Sequence, residues 1–358
     1  VSQRDTAFRK TPLHPTTDNA PHLSKAPSDE GAAGRSVFIH RRGSNHGIGN
    51  TSNKGTGSQG EPGLLPLVSE GVEDPGQGRA GRRPRQRDLD DARGDLFKAA
   101  RRFVSGESRK ALVVTGFYIP KAEHPAAESD GPVGATEICA AIRDIGGDAW
   151  LVSDAWCEPV IRGAAKDVLP QDHVLIAPKG DSFDAWLDGT KTLIAEQHID
   201  TVIFIERVGP ASDGYPRNMR GINILEWTAP LSRLASLGLH TIGIGDGGNE
   251  IGMGHIESYA IEDIVDHGDE IACTVPTQEL IVAGCSNWGG HAFVCSLYAM
   301  GHREVAGLLD EQWHRGVLAN ITAAGGLDGV KLVNIPTVDG LSERQYYSQI
   351  NALSQLAR

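Results

Sequence analysis

From residue 111 onward, short aliphatic runs alternate with stretches of helical spacing, and this rhythm limits the folds open to the chain. The runs are Ala111–Thr115, Ala149–Val152, His173–Ile176, Thr201–Ile205, His240–Ile244 and Glu279–Ala283. Each is too short for a helix, and most are apolar at consecutive positions, as expected of strands buried on both faces. Between and around them, apolar residues at helical spacing predict helices over 91–104, 133–145, 158–165, 183–197, 219–237 and 290–300. Strand and helix in alternation imply right-handed crossovers and a doubly wound, mostly parallel sheet: an α/β, Rossmann-like fold. In such sheets ligands sit beyond the carboxyl ends of the strands. The residues that follow each strand are therefore the ones to read for chemistry.

Residues 1–90 break the rhythm. They are rich in Gly, Ser, Pro, Asn and Arg, and too poor in apolar residues to offset the entropy of ordering, so a disordered low-complexity tail is expected there. The five arginines between Arg79 and Arg87 read as part of a solvated linker. Residues 91–358 are expected to form the folded domain. The net charge of −12 divides into +3 over residues 1–90 and −15 over the rest. An acidic domain disfavours nucleic acid as a partner. No run of about 18 apolar residues marks a membrane span, and no secretory signal opens the chain, so a cytoplasmic location is expected. The five cysteines form no C-x-x-C pair and lie mostly in apolar surroundings, as buried reduced thiols would; only Cys285, in a Gly-rich loop, invites a nucleophilic reading.

The segment after the 240–244 strand is the richest. Gly245 to Gly254 holds five glycines together with Asp246, Asn249 and Glu250. Glycine lets the backbone approach a ligand, and carboxylate and amide oxygens suit Mg²⁺ or Mn²⁺ better than zinc. Gly243, Gly245 and Gly248 also spell G-x-G-x-x-G, but the first glycine falls within the strand and Glu250 would face a pyrophosphate, so no nucleotide cofactor is expected. After the 201–205 strand come Glu206 and Arg207, then Asp213 and Arg217, where arginine forks suit a substrate carboxylate. After the first strand, Thr115 and Gly116 offer a hydroxyl and free backbone. After the last, Ser286, Asn287, Trp288 and His291 open a helix: the first two as N-cap or anion site, and His291 as a core residue or a base. Asp328, in Gly325–Gly329, is a further carboxylate.

The string Ile244-Gly245-Asp246-Gly247-Gly248-Asn249-Glu250-Ile251-Gly252-Met253-Gly254, with Glu206-Arg207 and Asp213-Gly214 before it and Asn287-Trp288-Gly289 after it, resembles the C-terminal domain of D-glutamate cyclases over about residues 95–350. The resemblance implies dehydrative cyclisation of D-glutamate to 5-oxo-D-proline, a carbon–oxygen lyase reaction. It also implies a two-domain design. Residues 1–90 are too short and polar to be the companion domain, so a separate N-terminal cyclase-like protein, or a second copy of this chain, is an expected partner.

The residues suggest roles for that chemistry. Glu206, Asp246 and Glu250 are the expected catalytic carboxylates, with Asp246 and Glu250 also holding a Mn²⁺ or Mg²⁺ ion. Thr115, Gly116, Arg207, Asp213, Arg217, Gly247, Gly248, Asn249, Asn287 and Trp288 are expected to bind the amino acid substrate, with Arg207 or Arg217 on its α-carboxylate and the Gly247–Gly248 amides around the oxyanion. Three other readings compete: a small-acid or nucleotide-binding domain without catalysis, another metal-assisted lyase or hydrolase of amino acid derivatives, and a nicotinamide-dependent oxidoreductase.

Overall fold

The computed structural model describes residues 92–178 and 180–358. The tail and arginine run expected over 1–90 lie outside the described residues.

Six strands form the main sheet: β1 (Lys110–Val114), β4 (Asp148–Asp154), β5 (Val174–Ala177), β6 (Thr201–Ile205), β7 (His240–Gly245) and β8 (Glu279–Val282). All their pairings are parallel, in the spatial order β5-β4-β1-β6-β7-β8. This is the doubly wound Rossmann arrangement, with its topological switch between β1 and β6. A two-stranded hairpin, β2 (Tyr118–Ile119) and β3 (Ala126–Ala127), follows β1.

Successive strand residues point to opposite faces, and both faces are buried. Ala111, Val113, Ile203 and Ile205 join a core built with α1 (Asp95–Ser105), α2 (Pro132–Asp144), α3 (Glu158–Ala165), α7 (Ser286–Ala299), α8 (Glu311–Ala323) and α9 (Glu343–Ala357). Leu112, Val114, Val202 and Phe204 join the other, against α4 (Phe183–Gln197) and the turns around Leu231 and Leu234. Two short helices, α5 (Ser258–Ile264) and α6 (Gly268–Ile271), precede β8.

Helices α2 and α7 matter most for the site. A Cβ on Gly290 would lie 2.9 Å from Gly134 Cα, so the two helices cross almost backbone to backbone. That close crossing brings their N-termini together beyond the sheet's carboxyl edge.

The helix expected over 219–237 does not form. The segment runs as turns with 3-10 pieces at Leu225–Trp227 and Leu231–Ser236. Pro230 has no amide hydrogen to continue a helix, and the neighbouring Ala229 amide and carbonyl bond Asp154 and Arg207 instead. The last-named sequence helix begins at Ser286, four residues before the expected start.

Candidate active site

The carboxyl ends of β1, β6, β7 and β8 deliver Thr115, Glu206, Asp246 and the Cys285–Ser286 pair to one region. Glu206 ends β6 with a left-handed backbone (φ 44°). A non-glycine residue there costs on the order of 1–2 kcal/mol, and such strain gathers at functional sites. Gly131 permits the approach from the opposite side. Its φ is 89°, and a Cβ on it would lie 2.6 Å from both Glu206 Cβ and Thr115 Oγ1.

Asp130, just before Gly131, organises the region. Its carboxylate accepts hydrogen bonds from the amides of Gly131 (2.9 Å), Ser286 (2.9 Å) and Asn287 (2.8 Å), and from Cys285 Sγ at 3.4 Å. It thus caps α7 from a distant part of the chain, where the helix dipole favours negative charge. Neither Ser286 nor Asn287 is the cap. Ser286 Oγ donates to Glu206 Oε2 at 2.6 Å. Asn287 ties the two helices, accepting from the Gly134 amide at 2.9 Å and donating to the Ser129 carbonyl at 3.1 Å.

Oxygen atoms of Asp130, Glu206 and Asp246 all lie within 4.8 Å of one another, and one atom each from Asp130, Cys285 and Asp339 does the same. The Asp246 and Asp339 carboxyls lie close enough to act on each other. Burial pushes the Glu206 and Asp246 carboxyls well above the usual carboxylate range. Glu250 and Glu128 add to the rise on Glu206, and Glu206 and Asp339 to that on Asp246. Asp339 and Glu128 are raised by burial and by neighbouring carboxylates in the same way. Asp130 rises less, because its amide donors favour the charged form. This many carboxyls in one buried place must either hold protons or face a cation.

Glu250 plays a different part from the one its sequence suggests. It is 1 % exposed, and its carboxylate accepts from the amides of Asp246 (3.0 Å), Gly247 (2.7 Å) and Gly248 (2.7 Å). It holds the glycine loop in shape. The Gly247 and Gly248 amides expected to hold an oxyanion are taken by it, and the acid group that includes Asp246 is completed by Asp130 and Glu206.

Arg207 likewise has no free fork for a substrate carboxylate. At 1 % exposure it donates to the Gly116 carbonyl (2.8 Å), the Asp154 carboxylate (2.7 Å) and the Ala229 carbonyl (2.7 Å). It fastens the ends of β1, β4 and β6 to the 225–236 turns. Arg217 pairs with Asp213 and the Gly221 carbonyl in an outer turn, and Asn249 Nδ2 donates to the Arg217 carbonyl at 2.8 Å. Asp328 is buried and accepts from the amides of Val330, Lys331 and Gly340, which folds the loop that carries Asp339. His291 lies inside the helical layer, bonded to Glu137. All five cysteines are buried and free; Cys285 is deeply buried, with its thiol pushed well up by burial and by Asp130.

Four buried polar atoms here have no hydrogen-bond partner among the described residues: Thr115 Oγ1, Arg207 Nε, Trp288 Nε1 and Tyr346 Oη. The Trp288 and Tyr346 rings stack at 6.2 Å, and burial, with Cys285 and Asp130 nearby, raises the Tyr346 phenol. They are donors waiting for an acceptor.

Sequence reasoning missed Glu128, Asp130 and Asp339. The first two follow the β2–β3 hairpin, well past the end of β1, and Asp339 sits in a loop between α8 and α9 that follows no strand. Asp130-Gly131-Pro132 did carry a signal: an acid and a glycine before a proline at a helix start.

The family described as "D-glutamate cyclase-like, C-terminal" matches residues 72–354. The human protein named "D-glutamate cyclase, mitochondrial" is 31 % identical over 222 residues, covering 58 % of this chain and 35 % of the human protein. The chain thus matches about a third of that relative's length. The relative's name gives a mitochondrial location and lends no support to a cytoplasmic one. Among the described residues no helix is long and apolar enough to cross a membrane. The family match over residues 72–354 takes in most of the chain: the chain belongs to the D-glutamate cyclase-like C-terminal family.

Proposed function

We propose that this domain catalyses the dehydrative cyclisation of D-glutamate to 5-oxo-D-proline at the Asp130–Glu206–Asp246 cluster, with a Mn²⁺ or Mg²⁺ ion held by those three carboxylates. The observation that carries the reading is their convergence within 4.8 Å, with Asp130 and Glu206 buried and Asp246 half-buried. An anionic substrate entering such a place meets strong repulsion unless a cation intervenes. An all-oxygen donor set fits a hard divalent ion. When bound, the ion supplies charge neutralisation at the γ-carboxylate, which is otherwise a poor electrophile.

The chain's own residues handle the protons. In the reaction the α-amine attacks the γ-carbon, the ammonium nitrogen gives up two protons, and the departing γ-oxygen takes up two to leave as water. Asp246, beside Asp339, has a raised affinity for protons and gives the site a group able to hold and release one. Glu206, fixed by Ser286, is the second group with a raised affinity for protons. Thr115 Oγ1, Trp288 Nε1 and Tyr346 Oη are the donors available to substrate carboxylates. Folding the substrate so that amine and γ-carbon meet accounts for much of the acceleration.

The test is incubation of the purified chain with D- and L-glutamate, with and without Mn²⁺, following 5-oxoproline by chiral chromatography. Formation of 5-oxo-D-proline from D-glutamate supports the reading. Saturable D-glutamate binding without product would assign the domain a binding role instead.

A further inference from the structure

A second cluster lies within the helical layer, apart from the acid site. Glu137 on α2, His291 on α7 and His314 on α8 are all fully buried. His291 Nδ1 is 2.8 Å from Glu137 Oε1 and 3.1 Å from His314 Nε2, and His314 Nε2 is 3.6 Å from Glu137 Oε1. Three atoms that each carry a lone pair therefore point at one spot.

Hydrogen bonding alone serves this arrangement poorly. The single hydrogen that His291 Nδ1 can carry cannot lie in line with both Glu137 and His314. A second buried oxygen, Glu137 Oε2, has no hydrogen-bond partner among the described residues, which in a protein interior calls for an explanation. A divalent ion would satisfy all three groups at once and give Oε2 something to coordinate. The spacing agrees. Zinc bonds of about 2.0–2.2 Å in tetrahedral array separate ligand atoms by roughly 3.3 Å, and the three observed distances bracket that value.

The outer contacts of His291 agree as well, while His314 Nδ1 has no hydrogen-bond partner among the described residues. A metal-ligating histidine normally donates its remote N–H to a carbonyl or a polar group, which fixes its ring. His291 Nε2 faces the Ile350 carbonyl at 3.2 Å and Ser354 Oγ at 3.0 Å, both from α9.

We propose that Glu137, His291 and His314 form a buried structural site for a borderline divalent ion of the zinc class, joining α2, α7 and α8 behind the acid cluster. Imidazole and carboxylate in this combination suit zinc better than the hard ions that an all-carboxylate site prefers. The two sites would thus select different metals within one domain. Helices α2 and α7 also bear Gly131–Pro132 and Ser286–Asn287 at their starts, so the ion would brace the two helix ends that Asp130 joins.

The test uses the full chain carrying Asp246→Asn, which weakens the acid site, stripped with chelator and titrated with Zn²⁺ and with Co²⁺. The expected result is uptake of one equivalent of Zn²⁺, a chelator-sensitive rise in Tm, and loss of that equivalent in Asp246→Asn/His314→Ala. His314→Cys should keep the zinc and, with Co²⁺, show a near-ultraviolet thiolate-to-cobalt band that the histidine protein lacks, which places the ion at residue 314. The proposal is overturned if the folded protein takes up no stoichiometric Zn²⁺, if uptake survives His314→Ala, or if folded His314→Cys shows no band. None of these outcomes depends on whether the protein cyclises D-glutamate.

Discussion

Ser286 Oγ donates a 2.6 Å hydrogen bond to Glu206 Oε2, joining the start of α7 to the end of β6. Glu206 is held in a strained backbone conformation beside Asp130 and Asp246, so this donor defines where its carboxyl points. Ser286→Ala leaves that buried oxygen unpaired and should destabilise the fold by about 1–3 kcal/mol. Turnover of D-glutamate should fall by more than KM rises, because binding of the carboxylates is carried elsewhere. Steady-state kinetics beside a urea titration separate the two effects; unchanged kcat would remove Glu206 from the proton chemistry.

The glycine loop makes a sharper contrast. Glu250 holds three amides, whereas Asp246 stands among like charges. Glu250→Gln replaces an accepting oxygen with an NH₂ group and should lower stability by about 1–3 kcal/mol. Asp246→Asn removes a source of repulsion, and in chelator at pH 8 its Tm should equal or exceed that of the wild type. Thermal unfolding of the two variants side by side checks the assignment, and the reverse order would contradict it.

The Arg207–Asp154 pair is buried at 1 % and 0 % side-chain exposure. Removing one partner strands the other charge, so Arg207→Ala or Asp154→Ala should each cost about 3–5 kcal/mol. Denaturant titration measures this. A loss below about 1 kcal/mol, with substrate affinity abolished, would return Arg207 to the role of a substrate anchor.

The raised carboxyls fix the sign of a pH dependence. Glu206, Asp246 and Asp339 have ordinary values of 4.5, 3.8 and 3.8 and lie well above them in the folded chain. Between the ordinary and the raised values the folded state binds more protons than the unfolded one. Their favourable contribution is therefore complete below about pH 4 and is lost as pH rises through the folded values. Metal-free protein should lose stability from pH 5 toward neutrality and above, and saturating Mn²⁺ should flatten that slope, because the ion favours the ionised form. Tm measured across pH in EDTA and in Mn²⁺ reads both effects.

Much of this molecule is legible in its sequence, for a definite reason. Runs such as Thr201–Ile205 are buried on both faces, so apolarity alone marks them, and helices such as Glu158–Ala165 carry their own apolar stripe. The Met219–Leu237 segment misleads because its leucines recur at helical spacing while Pro230 and the contacts of Arg207 forbid the helix. At the site, Glu206 and Asp246 are found because they follow strands. Asp130 and Asp339 escape notice because they are brought in by a helix crossing and by a loop folded around Asp328. The roles of Arg207 and Glu250 are set by partners far away in sequence or by the local backbone, which residue type does not reveal.

If the Asp130–Glu206–Asp246 cluster converts D-glutamate to 5-oxo-D-proline while Glu250 only shapes the loop, Asp246 is the residue whose loss costs turnover. The most direct measurement follows 5-oxo-D-proline formed from D-glutamate in Mn²⁺ by the wild type and by Asp246→Asn, each shown to be folded by circular dichroism. Product is expected from the wild type, and a rate at least a hundredfold lower, roughly the span of one acid–base group, from Asp246→Asn. Equal rates from the two proteins would contradict that role for Asp246.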